Sequence, residues 1–157
     1  MSTRTTSPSS AGEVPVDARL CLALHTAARA MDAVYRDLLE ELDLSYPQYL
    51  VMSLLWEQDC QRTGELSRQI AVDPSTMSPL LRRLQDRGLV QRRRDGSDER
   101  VVLVELTAAG RAMEDAAAGV PDGVCSATGL GLDRQAELVD TLRALTARLL
   151  VSHQTTA

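Results

Sequence analysis

Lysine is absent from this sequence: all 17 basic residues are arginine, and 22 acidic residues leave a formal net charge of −5. Arginine contacts phosphate and guanine through two parallel hydrogen bonds. A bias this complete also follows from the base composition of a genome, so it carries little weight by itself. An acidic chain does not favour nucleic-acid binding as a whole, and only the local distribution of the arginines is informative.

Long hydrophobic segments are also absent, because no run approaches the roughly 20 residues that cross a bilayer. The first fifteen residues, MSTRTTSPSSAGEVP, are polar and lack the apolar centre of a signal peptide. We therefore expect residues 1–15 to form a disordered arm. The protein is expected to be cytoplasmic, with no association with membranes.

Cysteine is scarce and odd in number, with Cys21, Cys60 and Cys125 as the complete set. This excludes the disulfide framework of a small secreted domain, and no CxxC pair suggests a zinc site. A chain of 157 residues can bury a core without such staples. We predict one domain over residues 16–157 that needs no cofactor and no metal. Cys60 lies in a polar connection and is interpreted as incidental.

The stretch from Asp73 to Leu106 carries most of the information about function. Asp73 and Pro74 are typical of a helix start, and Gly88 is typical of a helix end. Apolar residues recur at three- and four-residue spacing, which places them on one face. That face consists of Met77, Leu80, Leu81 and Leu84. The candidates for contacts on the exposed faces are Ser75, Thr76, Ser78, Pro79, Arg82 and Arg83.

A strand beginning at Leu89, an Asp95-Gly96 hairpin turn and a returning strand over 101–106 follow this helix. A short helix over 64–70 precedes it after a three-residue turn, so residues 47–106 predict a winged helix-turn-helix. Seven arginines and four acidic residues lie between Arg82 and Arg100. The helix suits the major groove of DNA, and the hairpin with Arg92, Arg93 and Arg94 can reach phosphates or the minor groove. The alternative is a solvated amphipathic helix beside an ordinary surface hairpin.

The flanking segments predict long helices, so the fold class is mainly α with a small β wing. Val16-Asp17 would staple and cap a first helix within 17–43, whose apolar stripe runs for roughly seven turns. Thr107 would cap an alanine-rich helix that Gly119 and Pro121 interrupt, and Asp133 would cap a last helix with a leucine stripe. We interpret 17–43 and 107–153 as dimerisation helices; the alternative is packing on the same domain.

Cys21 is the candidate reactive group, placed about four residues inside the first helix. The helix dipole and Arg19 would favour the thiolate, which attacks peroxides to give a sulfenic acid. The alternative is a small apolar residue buried among leucines. His25 lies one helical turn later, so the two side chains form a possible metal pair. A metal site is disfavoured because no third ligand is near in sequence.

Several motifs together resemble the MarR family of winged-helix repressors over roughly residues 17–151. They are LCLAL around Cys21, YRDLL, LSYPQYLVMSLLWE, and the wing DGSDERVVLVELT followed by Gly110. Within that family the sequence is similar to the OhrR group of organic hydroperoxide sensors. The resemblance implies an obligate homodimer that presents two recognition helices and two wings to palindromic operator DNA.

The resemblance also implies roles by position. Cys21 is implied to be the peroxide-reactive thiol, and Tyr35 and Tyr46 match tyrosines that hydrogen-bond this thiol across the dimer. Cys125 matches a second cysteine that resolves the sulfenic acid as an intersubunit disulfide; the alternative is an inert Cys125. His25 departs from the resemblance, because tyrosine is common there. Arg100 matches the wing-tip residue of the minor groove, with Asp98 as its brace.

The expected function is therefore a transcriptional repressor that leaves its operator when an organic hydroperoxide oxidises Cys21. One alternative keeps DNA binding and replaces oxidation by a small phenolic ligand in the dimer pocket. A second alternative is a thiol peroxidase, although a winged helix has no use in such an enzyme.

Overall fold

The computed structural model describes residue 15 and residues 19–155, with side chains up to residue 152. The predicted arm over residues 1–15, apart from Pro15, and the predicted Val16-Asp17 staple lie outside these residues. The described chain is mainly helical with three short strands, which confirms the predicted fold class. The elements are α1 (Leu20–Leu38), α2 (Tyr46–Glu57), β1 (Gln61–Arg62), α3 (Thr63–Gln69), α4 (Pro74–Asp86), β2 (Val90–Arg94), β3 (Val102–Leu106), α5 (Ala108–Ala117), α6 (Val120–Thr128) and α7 (Leu132–Thr155).

Helix α1 is shorter at its end than the sequence suggested. Its described part begins at Leu20 after Arg19 at the N-cap position, so Cys21 is its second residue rather than about its fourth. The helix ends at Leu38 instead of continuing to residue 42, and Asp43 adopts a positive φ of 51°. The early turn lets Leu39 and Leu44 enter the core, where they are 0 % and 6 % exposed. Apolar periodicity alone did not show this change of direction.

Helix α2 begins where predicted, at Tyr46-Pro47, and forms the centre of the core. Ser45 and Gln48 form a reciprocal capping box at its start, which satisfies two backbone N–H groups that the helix leaves unpaired. Val51, Met52 and Leu55 are fully buried, so α2 supports the helices and the sheet that follow.

Helix α4 presents the predicted face to the core, since Met77, Leu80, Leu81 and Leu84 are all buried. Asp73 occupies the N-cap position, but its side chain accepts no capping hydrogen bond there. Gly88 adopts a φ of +68° directly after the helix, which is the conformation that favours glycine at a helix end.

The wing is a three-stranded antiparallel sheet in the order β1-β3-β2, not the predicted two-stranded hairpin. Strand β1 lies in the segment interpreted as a polar connection, and Gln61 pairs with Val104. Gln61 is buried in spite of its polarity because its amide group donates to the carbonyls of Leu54 and Gln58, at 2.8 Å each. Because the residues around β1 are polar, the amino-acid composition of this segment did not indicate a strand.

The predicted hairpin between β2 and β3 is present, but Asp95-Gly96 does not close it as a two-residue turn. The connection runs over residues 95–101, and it closes where the Asp95 N–H donates to the Val101 carbonyl at 2.9 Å. Gly96 does not have the positive φ that an Asp-Gly two-residue turn requires. A longer wing loop places Arg100 farther from the sheet than a tight hairpin would.

The C-terminal helices follow the predicted order. Thr107 caps α5 by accepting a hydrogen bond from the Gly110 N–H at 3.0 Å, and α6 ends at Gly129 with a φ of +64°. Helix α7 starts at Leu132, so Asp133 lies in its first turn and not at its cap. Within the part of α7 whose side chains are described, 132–152, no residue is buried. None of the described helices combines the length and apolar character needed to cross a membrane.

Candidate nucleic-acid interface and thiol sites

The outer surface of α4 is a polar, solvent-exposed strip. The four buried side chains on its inner face fix the rotation of the helix and therefore direct the strip outward. Arg82 keeps 78 % of its side chain exposed and forms only a 3.9 Å contact with Asp86, a surface pair that contributes little to stability. All six residues predicted for contacts lie on this exposed strip: Ser75, Thr76, Ser78, Pro79, Arg82 and Arg83.

The wing separates the three consecutive arginines, because side chains alternate between the faces of a strand. Arg92 contacts α4, where its Nε donates to Gln85 at 2.6 Å. Arg94 donates to the Glu99 carbonyl at 2.7 Å and so supports the wing loop. Arg93 lies on the other face of the sheet, at 2.6 Å from Glu105. Only Arg92 and Arg94 therefore share the face of the sheet that meets α4.

Arg100 stands at the end of the wing with 92 % of its side chain exposed. Asp98 accepts from both the backbone N–H of Arg100 at 3.0 Å and the guanidinium Nε at 3.3 Å. These two hydrogen bonds restrict the base of the side chain and leave its outer guanidinium nitrogens available. Asp98 therefore contacts the arginine for which the resemblance implies a brace, while the role of Arg100 in a minor groove stays a prediction.

Cys21 is exposed in the first turn of α1, so the described chain does not bury it among the neighbouring leucines. His25 is exposed on the same helix. Within the described residues no group of three histidine, cysteine or acidic side chains lies close enough together to hold a metal ion.

Tyr35 and Tyr46 stack on each other with their ring centroids 4.2 Å apart. Burial raises the pKa of Tyr35 to about 12, with smaller contributions from the neighbouring Tyr46 and Tyr49. Burial also raises the pKa of Tyr46. Both phenols are therefore protonated donors at neutral pH. Tyr35 lies fourteen residues after Cys21 on one helix, about 21 Å away at 1.5 Å per residue, so neither tyrosine of a protomer reaches its own Cys21.

Cys125 lies on α6 and is partly buried. The Gln135 side-chain amide donates to its sulfur at 3.0 Å. Helix α6 packs against the C-terminal end of α1, where a Cβ on Gly123 would come within 2.5 Å of the Leu38 side chain. Leu38 is seventeen residues from Cys21, about 26 Å along the helix. The two cysteines of one protomer are therefore far beyond the Cα separation of roughly 4.4–6.8 Å that a disulfide needs.

Cys60 has closer contacts than its interpretation as incidental suggested. Its thiol donates to Glu105 at 3.2 Å, and Arg93 donates to its sulfur at 3.6 Å. The pairing of Gln61 with Val104 places Cys60 beside Glu105. Because no local sequence pattern indicated β1, this cluster could not be found before the strand pairing was known.

Known proteins resemble the chain over most of its length. Residues 33–116 match the family model described as the transcriptional regulator SarA/Rot. The chain is 39 % identical over 130 residues to the regulator TtmR of Methylorubrum extorquens, covering 83 % of this chain and 67 % of that protein. It is 35 % identical over 138 residues to the organic hydroperoxide resistance transcriptional regulator of Bacillus subtilis, covering 87 % and 90 % of the two chains.

Solved structures of regulators also resemble the fold over most of the chain. Reduced AbfR bound to DNA aligns with a TM-score of 0.71 at 27 % identity, covering 83 % of this chain and 91 % of that chain. An Escherichia coli MarR mutant in complex with operator DNA also aligns at 0.71, with 26 % identity and coverage of 80 % and 92 %. With a matching family model over more than half of its residues, this chain belongs to the MarR/SarA family of winged-helix transcriptional regulators.

Proposed function

We propose that the protein is a homodimeric DNA-binding repressor that releases its operator when an organic hydroperoxide oxidises Cys21. One observation carries the proposal: Cys21 is exposed in the first turn of α1 in a chain 35 % identical to a regulator of organic hydroperoxide resistance over 87 % of its length. A thiol peroxidase is not the function, because the relatives and the fold are those of transcriptional regulators.

The polar strip of α4 enters the major groove, and the wing follows the adjacent backbone. Ser75, Thr76 and Ser78 offer hydroxyl groups to base edges and phosphates. Arg100, braced by Asp98, is suited to a narrow minor groove with its enhanced negative potential. Two such lobes related by a twofold axis read a palindromic site.

Oxidation proceeds in two balanced steps. The Cys21 thiolate attacks the terminal oxygen of the hydroperoxide, so an S–O bond forms, the O–O bond breaks, and the leaving alkoxide takes a proton to become an alcohol. The Cys125 thiol of the partner then attacks the sulfenic sulfur, forming the S–S bond and releasing water. The separation of the two cysteines within one protomer supports an intersubunit bond, because the alternative pairing exceeds the reach of a disulfide.

The two tyrosines Tyr35 and Tyr46 also contribute across the dimer. Tyr35 and Tyr46 stay protonated because burial raises the pKa of each, so their phenols donate hydrogen bonds at neutral pH. The resemblance implies that they donate to the thiolate of the partner subunit, and their distance from Cys21 of their own protomer is consistent with that arrangement. His25 is exposed one turn after Cys21 on α1, so its imidazole is a further group near the thiol that can donate or accept a hydrogen bond.

Disulfide formation joins α1 of one protomer to α6 of the other and changes the spacing of the two lobes. Two recognition helices that no longer match the half-site spacing lose phosphate and base contacts together. To change from mostly DNA-bound to mostly free, the protein must lose several kcal/mol of binding free energy on oxidation. Disulfide formation by a strong oxidant supplies free energy of this size.

The test compares reduced and cumene hydroperoxide-treated protein by fluorescence anisotropy on a duplex selected from a random library by the reduced protein. We expect oxidation to weaken binding at least tenfold, and Cys21→Ser to abolish this response without weakening the reduced complex. Cys125→Ser should still form the sulfenic acid but yield no covalent dimer on a non-reducing gel. Cys60→Ser is the matched control and should behave as the wild type.

Two outcomes contradict the proposal. If Cys21→Ser still leaves the duplex on hydroperoxide treatment, thiol sensing at this position is wrong, and release by a small phenolic ligand becomes the better account. If Cys125→Ser still gives a covalent dimer, Cys125 is not the resolving residue.

A further inference from the structure

A cleft of about 510 Å³ lies between the first turn of α3, the outer surface of α4 and the wing. Arginines from separate segments line it: Arg62 of β1, Arg68 of α3, Arg92 of β2 and Arg100 of the wing loop. Glu65 is the one carboxylate among the described residues that line it. A concave surface with this excess of guanidinium groups focuses positive potential and favours an anion.

Three of these four arginines, Arg62, Arg68 and Arg92, form no ion pair within the described part of the chain, and Arg92 is held instead by its hydrogen bond to Gln85. Arg62 and Arg68 are both exposed. By contrast, Arg87, Arg93 and Arg111 each contact a carboxylate at 3.7 Å or less. The difference separates arginines that stabilise the fold from arginines that remain available for an external anion.

The pairing of β1 in the sheet places Arg62 at this cleft. Arg62 pairs with Leu103 in the sheet, and the neighbouring Thr63 hydroxyl donates to the Val102 carbonyl at 3.2 Å. These contacts hold the end of β1 against β3. Arg62 also contributes to the lowered pKa of Asp95, after the hydrogen bonds from Ser97, so its charge lies close to the wing loop.

The cleft is continuous with the proposed DNA-reading surface. Ser78 of α4 and Arg100 of the wing belong to both, and Leu81 forms the apolar base between them. A duplex held by the recognition helix and the wing tip passes over the opening between those two contacts. The anion presented there is a backbone phosphodiester, because base edges are occupied by the helix in the major groove.

We propose that Arg62 and Arg68 form a phosphate-binding site for the DNA backbone, in the cleft between α3 and the wing. The inference rests on the proposed DNA binding and adds two residues to it. Their role is positional: they fix the register of the lobe on the duplex and carry no sequence preference. Arg92, held by Gln85, and Arg100 complete the positive lining.

The experiment measures how the affinity of the reduced, full-length protein depends on salt concentration, with wild type, Arg62→Ala, Arg68→Ala and their lysine counterparts. Each neutralised phosphate contributes about −0.9 to the slope of log affinity against log salt concentration. An alanine variant of a dimer loses two contacts, so we expect the slope to become shallower by about 1.8. Affinity should fall by a similar factor on the selected duplex and on an unrelated duplex of equal length.

Arg134→Ala is the matched control, because Arg134 is an exposed arginine of α7 whose partner is Glu137. It should leave the slope at the wild-type value. Lysine at position 62 or 68 keeps the charge and should restore most of the slope, which loss of folding would not do. Thermal melting of each variant reports folding directly.

Each outcome decides the inference. Slopes equal to that of Arg134→Ala in both alanine variants would overturn the phosphate site while leaving DNA binding and peroxide release intact. A loss confined to the selected duplex would mean base reading and would also overturn it. A wild-type protein that binds no duplex would instead remove the proposed function on which the inference depends.

Discussion

At the scale of single residues, the two exposed cysteines have opposite surroundings. Cys21 lies at the start of a helix, in the positive field of the helix dipole. Cys60 donates its proton to Glu105, and this hydrogen bond is the main reason that the pKa of the Cys60 thiol is raised. The positive charge of Arg93 acts in the opposite direction but is largely engaged by Glu105 itself. Exposure alone therefore does not make a reactive thiol in this molecule.

Replacing Glu105 by glutamine should make Cys60 more reactive. The neutral amide weakens the hydrogen bond that raises the pKa of the thiol, removes the carboxylate charge that adds to this effect, and leaves Arg93 to lower the pKa. Because only the thiolate is nucleophilic, the rate of alkylation by iodoacetamide near neutral pH should increase. The pH at half-maximal rate should move to a lower value than in the parent protein.

The measurement uses a parent with Cys21→Ser and Cys125→Ser, so that Cys60 is the one remaining cysteine. Gln91→Ala is the control, since it removes another Glu105 contact, at 3.2 Å, without removing the charge. Equal alkylation profiles in the parent and in Glu105→Gln would show that Glu105 does not restrain this thiol.

At the scale of elements, the wing is attached to the helical core at Gly110. A Cβ at this position of α5 would lie 2.0 Å from the Leu89 carbonyl oxygen. The Gly110 carbonyl also accepts a hydrogen bond from the Trp56 indole of α2 at 2.9 Å. The glycine therefore allows α5, α2 and the start of the wing to approach one another closely.

Gly110→Ala should accordingly destabilise the protein by about 1–3 kcal/mol, the usual cost of forcing an extra methyl group into a packed contact. Gly119→Ala is the matched control, because a Cβ added there would meet nothing within 4 Å and its φ of −81° suits alanine. Urea denaturation followed by circular dichroism measures both. Equal midpoints in the two variants would contradict the close approach.

Some of the elements could be predicted from the sequence, and others could not. Periodic leucines identified α4 correctly, because a helix that buries one face must repeat every three to four residues. Strand β1 escaped because Gln61 is buried through hydrogen bonds to α2 and its C-terminal turn, a tertiary effect that polarity conceals. The resemblance named Cys21 and Arg100, whereas the cleft that brings Arg62 and Arg68 together depends on the pairing of β1 with β3, which no local pattern reveals.

At the scale of the whole molecule, α7 is the least buried element. Its leucine stripe remains in solvent: Leu138, Leu142, Leu149 and Leu150 are 47 %, 38 %, 58 % and 61 % exposed. Burying one leucine side chain contributes about 1.5–3 kcal/mol, so a second copy that covered this stripe would gain a substantial stabilisation. The proposed thiol chemistry requires the same second copy, because neither Cys125 nor the tyrosines of a protomer reach its own Cys21.

Placing two charges in this stripe should therefore produce a monomer. Leu142→Glu with Leu149→Glu sets two carboxylates into a surface that the partner would desolvate, a change that buried interfaces do not tolerate. Sedimentation velocity should show the wild type at twice the mass of the chain and the double variant at one chain mass. Ala136→Glu adds charge on the opposite side of α7 and should leave the dimer intact.

Loss of the dimer should remove both DNA binding and disulfide formation. A lone lobe keeps only one half-site, so the affinity of the double variant for the selected duplex should fall by orders of magnitude. Hydroperoxide should also yield no covalent dimer, because Cys125 of a second copy is then out of reach of Cys21. A double variant that stays dimeric and still forms the disulfide would show that α7 does not hold the two copies together, and the contact would then have to be sought on α1.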